Sequence, residues 1–360
     1  MLADLEELVC CESFSADHEA VARSARVVGE QGARLLGARP ENLVVGGVSH
    51  LRWTFGTPRV LLLGHHDTVW PMGSLATHPW SVRQGIARGP GVFDMKAGLV
   101  QMFHALASLP SLDGVCVLVT GDEEVGSDTS RTLIEDAARA CRASLVLEAA
   151  AAGGALKTSR KGVSNYELTV HGRASHAGLE PEKGVNAGLE LAHQLLALED
   201  LTARVTARTG TGTTVTPTLM QAGTATNTVP ARGELSVDVR VPSNAAQTAV
   251  DELMRALAPR LPGARLEVTG GPNRPPLEAD ASGKLFELTA GLAGRLGMEP
   301  LRQAAVGGAS DGNYTAGVGC PTLDGLGAVG DGAHADHEHV ETAFMPERAR
   351  LLAHLVGALR

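Results

Sequence analysis

Three short, apolar runs constrain the fold of this chain more than any other feature of its sequence. They cover residues 60–63, 115–119 and 144–147. Such runs are typical of strands that are buried on both faces, as in a mostly parallel sheet. Between the first two runs, Leu99, Met102, Phe103 and Leu106 have the spacing of one apolar helix face. The pattern predicts an α/β fold with a mostly parallel sheet.

A different pattern fills the middle of the chain. Around residues 166–170 and 235–241 apolar and polar residues alternate, which predicts half-exposed antiparallel strands. Helical patterns lie at about 185–199 and 244–258, and another covers residues 3–30. Since 360 residues exceed what one core supports, we predict one α/β domain, 1–162 and 273–360, interrupted by a smaller α+β domain, 163–272, with an antiparallel sheet and two helices.

Charge and composition disfavour several classes of protein. The chain has 31 Lys and Arg against 40 Asp and Glu, and this net charge of −9 would repel a nucleic-acid backbone. No apolar run reaches the ~20 residues needed to span a bilayer. The five cysteines form no CxxC pair, and the first residues lack the pattern of a signal peptide. We therefore expect a cytoplasmic protein that binds neither nucleic acid nor membranes.

Potential metal ligands follow the predicted strands. Ligands of open α/β sheets bind at the carboxyl edge of the strands. The candidates at this edge and in the loops facing it are His65, Asp67, Asp94, Glu123, Glu124, Glu148 and His334.

The residue types at this edge indicate a pair of metal ions. Two imidazoles and three carboxylates suit two Zn²⁺-like ions that share one carboxylate. These five are His65, Asp94, Glu124, Glu148 and His334. Carboxylates gathered there would repel one another unless cations neutralised them. Asp67, two residues after His65, can orient that imidazole. Glu123 and Glu124 are adjacent and point in different directions, so one of them can bind metal while the other faces a water.

Five motifs resemble those of the M20 metallopeptidases. They are GHHDTVWPMG, GPGVFDMKAG, GDEEVGS, ASHAGLEPEKGVNA and GAHADHEHV. This family includes carboxypeptidase G2-like enzymes, acetylornithine deacetylase, succinyl-diaminopimelate desuccinylase and aminoacylase-1. The resemblance implies a catalytic domain with two Zn²⁺, which Co²⁺ can replace, and an inserted lid or dimerisation domain.

The resemblance also assigns roles around the metals. It implies that His65 and Glu148 bind one ion, that Glu124 and His334 bind the other, and that Asp94 bridges them. Asp67 would then orient His65, and Glu123 would be the general base. The family further implies a cis peptide bond between Asp94 and Met95.

Substrate contacts are implied for two other regions. In the inserted domain, His176 would reach the partner subunit's active site and stabilise the oxyanion, and Asn227 and Arg240 would hold the substrate carboxylate. In the GGASDGNY loop, residues 307–314, the substrate contacts would come from Gly308, Ser310 and Asp311.

We therefore expect a homodimeric dinuclear zinc hydrolase that cleaves an amide bond next to a free carboxylate. Its substrates would be small peptides, as in M20 exopeptidases of the carboxypeptidase type. The WPMGSLATHPW segment resembles the glutamate carboxypeptidase branch, but Ala305 stands where that branch has an Arg.

Three alternatives remain open on the sequence. An N-acyl-amino-acid deacylase would use the same residues on an N-acyl amino acid. Gly308–Gly312 also fits G-x-S-x-G, which would suit a serine hydrolase with Ser310 and His334. The third alternative is a non-catalytic metal-binding or amino-acid-binding protein.

Overall fold

The computed structural model describes residues 1–360, and the chain divides into two compact units. Unit 1 comprises Met1–Arg160 and Leu277–Arg360, and unit 2 comprises Lys161–Pro276. The predicted inserted segment, 163–272, falls inside unit 2. Each unit has its own apolar core.

Nine α-helices are present. In chain order they are α1 Leu2–Cys10, α2 His18–Leu36, α3 Ala97–Ala107, α4 Arg131–Arg139, α5 Ala187–Thr209, α6 Asn244–Arg255, α7 Ala279–Arg295, α8 Gly312–Gly317 and α9 Met345–Leu359.

Sixteen β-strands accompany the helices. They are β1 Glu41–Val45, β2 Val48–Thr54, β3 Val60–His65, β4 Ser81–Arg83, β5 Ile86–Arg88, β6 Val115–Thr120, β7 Ala143–Val146, β8 Leu156–Arg160, β9 Gly162–His171, β10 Thr214–Ala222, β11 Arg232–Val241, β12 Arg265–Arg274, β13 Gln303–Val306, β14 Thr322–Leu323, β15 Gly330–Asp331 and β16 His339–Glu341.

The main sheet of unit 1 is mixed, in the order β1-β2-β6-β3-β7-β14. The last four strands are parallel to one another, and β2 is antiparallel to both of its neighbours, β1 and β6. The three predicted apolar runs are β3, β6 and β7, and every residue of these strands is buried. The predicted α/β class with a mostly parallel sheet is therefore confirmed.

Helix α3 packs unusually close to the strand end that leads to Glu148. A Cβ atom on Gly98 of α3 would collide with the carbonyl oxygen of Leu147. Because glycine has no Cβ, the helix backbone can lie directly against this segment. The contact fixes the main chain immediately before Glu148.

The prediction of one helix over residues 3–30 is wrong. Helix α1 ends at Cys10, and α2 begins at His18 with the Asp17 side chain as its N-cap. The segment between them pairs with the chain after β3, because Ser15 donates its N–H to the carbonyl oxygen of Thr68 and Thr68 donates to that of Ser13. These contacts with a distant segment interrupt the helix.

Unit 2 contains an antiparallel sheet in the order β10-β11-β9-β12. Its core joins alternate residues of β9 and β11, such as Leu168 and Val237, to helices α5 and α6. Strands β10 and β12 at the two edges were not predicted. Helix α5 runs to Thr209, ten residues beyond its predicted end at 199.

None of the helices is both long and apolar enough to cross a membrane.

Candidate metal centre

The carboxyl ends of the parallel strands bring the candidate ligands together. His65 is the last residue of β3, Glu148 lies two residues after β7, and Glu123 and Glu124 follow β6. Because β3 lies between β6 and β7 in parallel register, these side chains emerge at one edge. His65, Glu123 and Glu148 have ligand atoms within 4.8 Å of one another.

Asp94 lies between two His–Glu pairs. Its Oδ1 is 3.3 Å from Nε2 of His65, which is itself 3.4 Å from Oε1 of Glu148. Its Oδ2 is 3.3 Å from Nε2 of His334, which is 3.0 Å from Oε2 of Glu124. The peptide bond between Asp94 and Met95 is cis. One carboxylate thus presents each of its oxygens to a different imidazole–carboxylate pair.

The electrostatics of the cluster fit divalent cations. Burial raises the pKa of Glu124 to about 7, and its Oε1 is buried without a hydrogen-bond partner. Hydrogen bonds to Asp94 and Glu124 raise the pKa of His334 to about 10. Although burial opposes the shift, hydrogen bonds to Asp67, Asp94 and Glu148 raise the pKa of His65. Protons on the two imidazoles thus balance the carboxylates, and metal ions at the same place would do so directly.

Asp67 connects His65 to the turn after β6 that carries the two glutamates. Its carboxylate, which is fully buried, accepts hydrogen bonds from the N–H groups of Glu123 and Glu124, both at 3.2 Å, and from the Ser15 hydroxyl at 2.7 Å. Nδ1 of His65 lies 3.1 Å from the Asp67 carbonyl oxygen and 3.5 Å from its carboxylate. Asp67 therefore holds both His65 and the glutamate pair in place.

Several supporting residues were missed by the sequence analysis. Glu338 is buried and accepts four hydrogen bonds from the loops around Trp70 and Asp94. Lys96 is also buried and donates to the carbonyl oxygen of Cys11, and burial lowers its pKa to about 8. These residues bind backbone groups that are remote in sequence, so no local motif marks them.

Two of the three residues predicted in the GGASDGNY loop have buried side chains. The Ser310 hydroxyl donates to Asp324 at 2.6 Å, and the Asp311 carboxylate accepts from Thr120 and Ser127. The carbonyl oxygen of Gly308 accepts a hydrogen bond from Arg160. The side chains of Ser310 and Asp311 thus form hydrogen bonds inside the protein, whereas Gly308 lies at the wall of a cavity.

The Ser310–His334 alternative does not fit the structure. A nucleophilic serine needs an exposed hydroxyl and a histidine base within hydrogen-bond reach. Ser310 is fully buried and its hydroxyl is bonded to Asp324, whereas Nε2 of His334 faces Asp94 and Glu124. No serine–histidine pair is formed.

In unit 2, His176 and Asn227 lie on adjacent segments. Ala177 donates its N–H to the carbonyl oxygen of Asn227, and both side chains are exposed. Nδ1 of His176 accepts hydrogen bonds from the N–H groups of Gly178 and Leu179. Since Nδ1 is an acceptor, a neutral His176 carries its proton on Nε2.

Arg240 lies at the other end of the unit 2 sheet. It pairs with Val163 at the start of β9, whereas His176 follows the end of β9, where His171 pairs with Arg232. Eight residues of β11 separate Arg240 from Arg232, which corresponds to about 27 Å of strand. Its guanidinium contacts Asp238 at 2.8 Å. Unit 2 therefore brings His176 and Asn227 together but not Arg240.

Comparisons with known proteins show which family the chain resembles. Carboxypeptidase G2 of Pseudomonas sp. strain RS-16 is 31% identical over 99% of this chain and 88% of its own length. Succinyl-diaminopimelate desuccinylase of Methylorubrum populi is 29% identical over 79% of this chain and 78% of its own. The crystal structure of the M20 family metallo-carboxypeptidase Sso-CP2 from Sulfolobus solfataricus has the same fold, with a TM-score of 0.75 at 16% identity over 99% of this chain and 98% of that one.

A model of the peptidase family M20/M25/M40 matches residues 61–358. This range contains all five candidate ligands and the whole of unit 2. The chain is therefore a member of the M20 metallopeptidase family, a metal-dependent hydrolase of amide bonds.

Proposed function

We propose that this protein is a dinuclear zinc hydrolase that cleaves an amide bond next to a free carboxylate in small peptides. The position of Asp94 carries the proposal, because its two oxygens face the His65–Glu148 and His334–Glu124 pairs separately. Each ion would have one histidine, one glutamate and a share of Asp94. Two imidazoles among carboxylates favour Zn²⁺ or Co²⁺ over Mg²⁺, which prefers oxygen ligands.

Bound ions would polarise the scissile carbonyl group and lower the pKa of the attacking water. Glu123 would take the proton of that water, and the proximity of its carboxylate to ligand atoms of His65 and Glu148, within 4.8 Å, supports this role. The same carboxyl group can then give the proton to the departing amine. The Asp67 carboxylate accepts a hydrogen bond from the backbone N–H of Glu123 and so holds Glu123 in place.

His176 suits the stabilisation of an oxyanion. Two backbone N–H groups occupy its Nδ1, so Nε2–H remains free to donate from an exposed ring. A donor that is already oriented needs no rearrangement as negative charge develops on the carbonyl oxygen.

A cavity of unit 1 offers a cation for the substrate carboxylate. Its volume is ≈ 470 Å³, and its walls include Phe93, next to Asp94, and Ala150, two residues after Glu148. Lys157 and Asp331 also line this cavity. The Lys157 ammonium forms neither an ion pair nor a hydrogen bond within the protein. Burial, with the nearby Arg160, lowers the pKa of Lys157, and a substrate carboxylate would offset that cost.

The arrangement of unit 2 favours a homodimer. Arg240 lies about 27 Å along β11 from Arg232, which marks the end of the sheet near His176, and this distance exceeds the length of a dipeptide. If Arg240 and His176 both contact one substrate, they come from two copies of the chain. Strand β10 is an open sheet edge with Leu219 and Met220 largely exposed, and such edges pair readily with another strand.

The five cysteines are all unpaired, which suits a reducing compartment, and we place the enzyme in the cytoplasm.

The test is a substrate panel with apo-enzyme to which Zn²⁺ or Co²⁺ is restored. Dipeptides, N-acyl amino acids and the same compounds with an amidated carboxylate should be compared. We expect hydrolysis only with metal, with amidation raising KM about tenfold to a hundredfold through loss of a charge-assisted hydrogen bond. Lys157→Met should abolish this preference, and hydrolysis that persists in the stripped enzyme would refute the metal centre.

The panel also separates the two substrate classes. Preference for dipeptides supports the exopeptidase, and preference for acetylated or succinylated amino acids supports the N-acyl-amino-acid deacylase. Metal binding without hydrolysis of any compound would favour the binding protein.

A further inference from the structure

Glu338 has an unusually complete set of hydrogen-bond donors for a buried carboxylate. Its Oε1 accepts from the backbone N–H groups of Phe93 at 2.8 Å and Asp94 at 3.0 Å. Its Oε2 accepts from the N–H of Gly91 at 3.0 Å and from the indole of Trp70 at 2.6 Å. The residue is 3% exposed. No other group in the chain combines three backbone donors and an indole in this way.

These four bonds join three loops that carry or directly follow candidate ligands. Trp70 lies in the loop that follows His65, and the three backbone donors belong to the loop that carries Asp94. Glu338 itself lies four residues after His334. A single carboxylate therefore ties the position of Asp94 to the loops of both histidines.

Glu338 is not placed as a ligand itself. Both of its oxygens are already occupied by N–H donors, and it belongs to neither of the candidate metal-binding groups. Its bond to the Asp94 N–H instead acts on the main chain of the residue that faces both imidazoles. Any rotation of that main chain would move both oxygens of Asp94 together.

We propose that Glu338 is a positioning residue that holds Asp94 in its bridging orientation between the two metal sites. The proposal rests on the proposed dinuclear function and extends it to a residue that touches neither metal nor substrate. Partners that orient metal ligands in this way are typically worth about tenfold to a hundredfold in metal affinity or activity.

The test compares Glu338→Gln with Asp336→Asn. Glutamine keeps one acceptor oxygen but turns an NH₂ group towards one pair of N–H donors. Asp336 is a control in the same loop. Its carboxylate is 92% exposed and pairs with His78 at 3.5 Å, so Asp336→Asn removes a negative charge but none of the four hydrogen bonds of Glu338. The readouts are the Co²⁺ dissociation constants from competition with a chelator, the visible spectrum of the Co²⁺ enzyme, and kcat and KM at saturating metal.

We expect Glu338→Gln to weaken Co²⁺ binding about tenfold to a hundredfold, to change the Co²⁺ spectrum and to lower kcat with KM unchanged. Asp336→Asn should behave as the wild type. A Glu338→Gln protein with wild-type Co²⁺ affinity and spectrum, and only a lower Tm, would overturn the proposal by showing a purely structural role.

If Glu338→Gln does not fold, Trp70→Phe provides the second test. Phenylalanine keeps an aromatic ring and removes only the indole donor, so the same changes should occur to a smaller degree; unchanged Co²⁺ affinity would again overturn the proposal. If the wild-type protein binds no Co²⁺, the proposed function fails instead, so the two failures are distinguishable.

Discussion

Glu123 and Glu124 are neighbours in the chain, yet the structure gives them different surroundings. Glu124 contacts His334, whereas Glu123 groups with His65 and Glu148. In the proposed mechanism, Glu123 has to remain available for proton transfer while Glu124 binds a cation. The backbone N–H bonds from both residues to Asp67 keep this division fixed.

We predict that Glu123→Gln lowers kcat by about 10²- to 10⁴-fold, because glutamine cannot accept the proton of the attacking water. Metal content and KM should stay close to those of the wild type, since the five candidate ligands are unchanged. Steady-state kinetics and elemental analysis of the purified protein measure both. The exposed Glu299→Gln is the matched control. Retained kcat in Glu123→Gln would remove the role assigned to Glu123.

A second prediction concerns acid stability. His66 is fully buried, its Nδ1 has no partner, and burial lowers its pKa to about 4. An unfolded histidine titrates near 6.5, so between pH 6.5 and 4 the unfolded chain binds a proton that the native protein does not. The free energy of unfolding should therefore fall by about 3 kcal/mol over this window and be fully retained above it.

Urea denaturation at pH 7 and at pH 4.5 measures this effect. His66→Gln should show a smaller loss of stability on acidification than the wild type, because glutamine takes up no proton. An equal loss in both proteins would assign the acid sensitivity to other groups.

The ligands could be predicted from the sequence because each follows a recognisable apolar strand or lies in a glycine-rich motif. Glu338, Ser15 and Lys96 could not, since their partners are backbone groups or side chains far away in the chain. Ser310 and Asp311 were expected to face substrate, and their burial follows from bonds to Asp324 and Thr120 that no local pattern reveals.

Among the elements, the close packing of helix α3 against the chain after strand β7 depends on a single glycine, Gly98. We predict that Gly98→Ala destabilises the protein by about 1–3 kcal/mol, because the new methyl group would overlap the Leu147 carbonyl oxygen. Gly98→Ala should also weaken metal binding, because Glu148 directly follows Leu147 in the chain. Denaturation midpoints and Co²⁺ titration measure the two effects.

Gly294 of α7 provides the matched control, because a Cβ there would meet nothing within 4 Å. Gly294→Ala should stabilise the protein by about 0.5–1 kcal/mol through its higher helix propensity. Equal effects at Gly98 and Gly294 would mean that the close approach of α3 to β7 is not a constraint.

Strand β10 is the element on which we expect dimerisation to depend. Leu219→Glu would place a charge at an apolar sheet edge, so the mutant should be monomeric by light scattering at concentrations where the wild type is dimeric. Val44→Glu, on the exposed edge strand β1 of unit 1, is the control and should leave the oligomeric state unchanged. Dissociation by Val44→Glu alone would place the interface elsewhere.

The predictability of each element followed from its burial. Strands β3, β6 and β7 are buried throughout and were found from apolar runs, and β9 and β11 were found from alternation. Strand β10 is exposed over its last five residues on both faces, so it has neither signal. The break between α1 and α2 arises from pairing with Thr68, which periodicity in the helix does not reveal.

At the scale of the whole molecule, the candidate ligands come from separate stretches of the chain. Folding brings three of their carboxylates, which repel one another, close together. We predict that saturating Zn²⁺ or Co²⁺ raises the Tm of the metal-free protein, because ions bind only the folded cluster. At a thousand times the dissociation constant the gain is about 4 kcal/mol.

Differential scanning calorimetry with and without metal measures this gain. Asp94→Asn should largely abolish it, because the amide removes the negative charge that both sites share and turns an NH₂ group towards one of them. An unchanged Tm in the wild type on adding metal would contradict the coupling of metal binding to folding.

The division of the chain also sets an order for biosynthesis. Residues 161–276 are continuous, so unit 2 can fold as soon as it has left the ribosome, whereas unit 1 waits for residues 277–360. Because His334 and Glu338 are among these late residues, the proposed metal centre cannot be complete in the nascent protein until residue 338 has been translated.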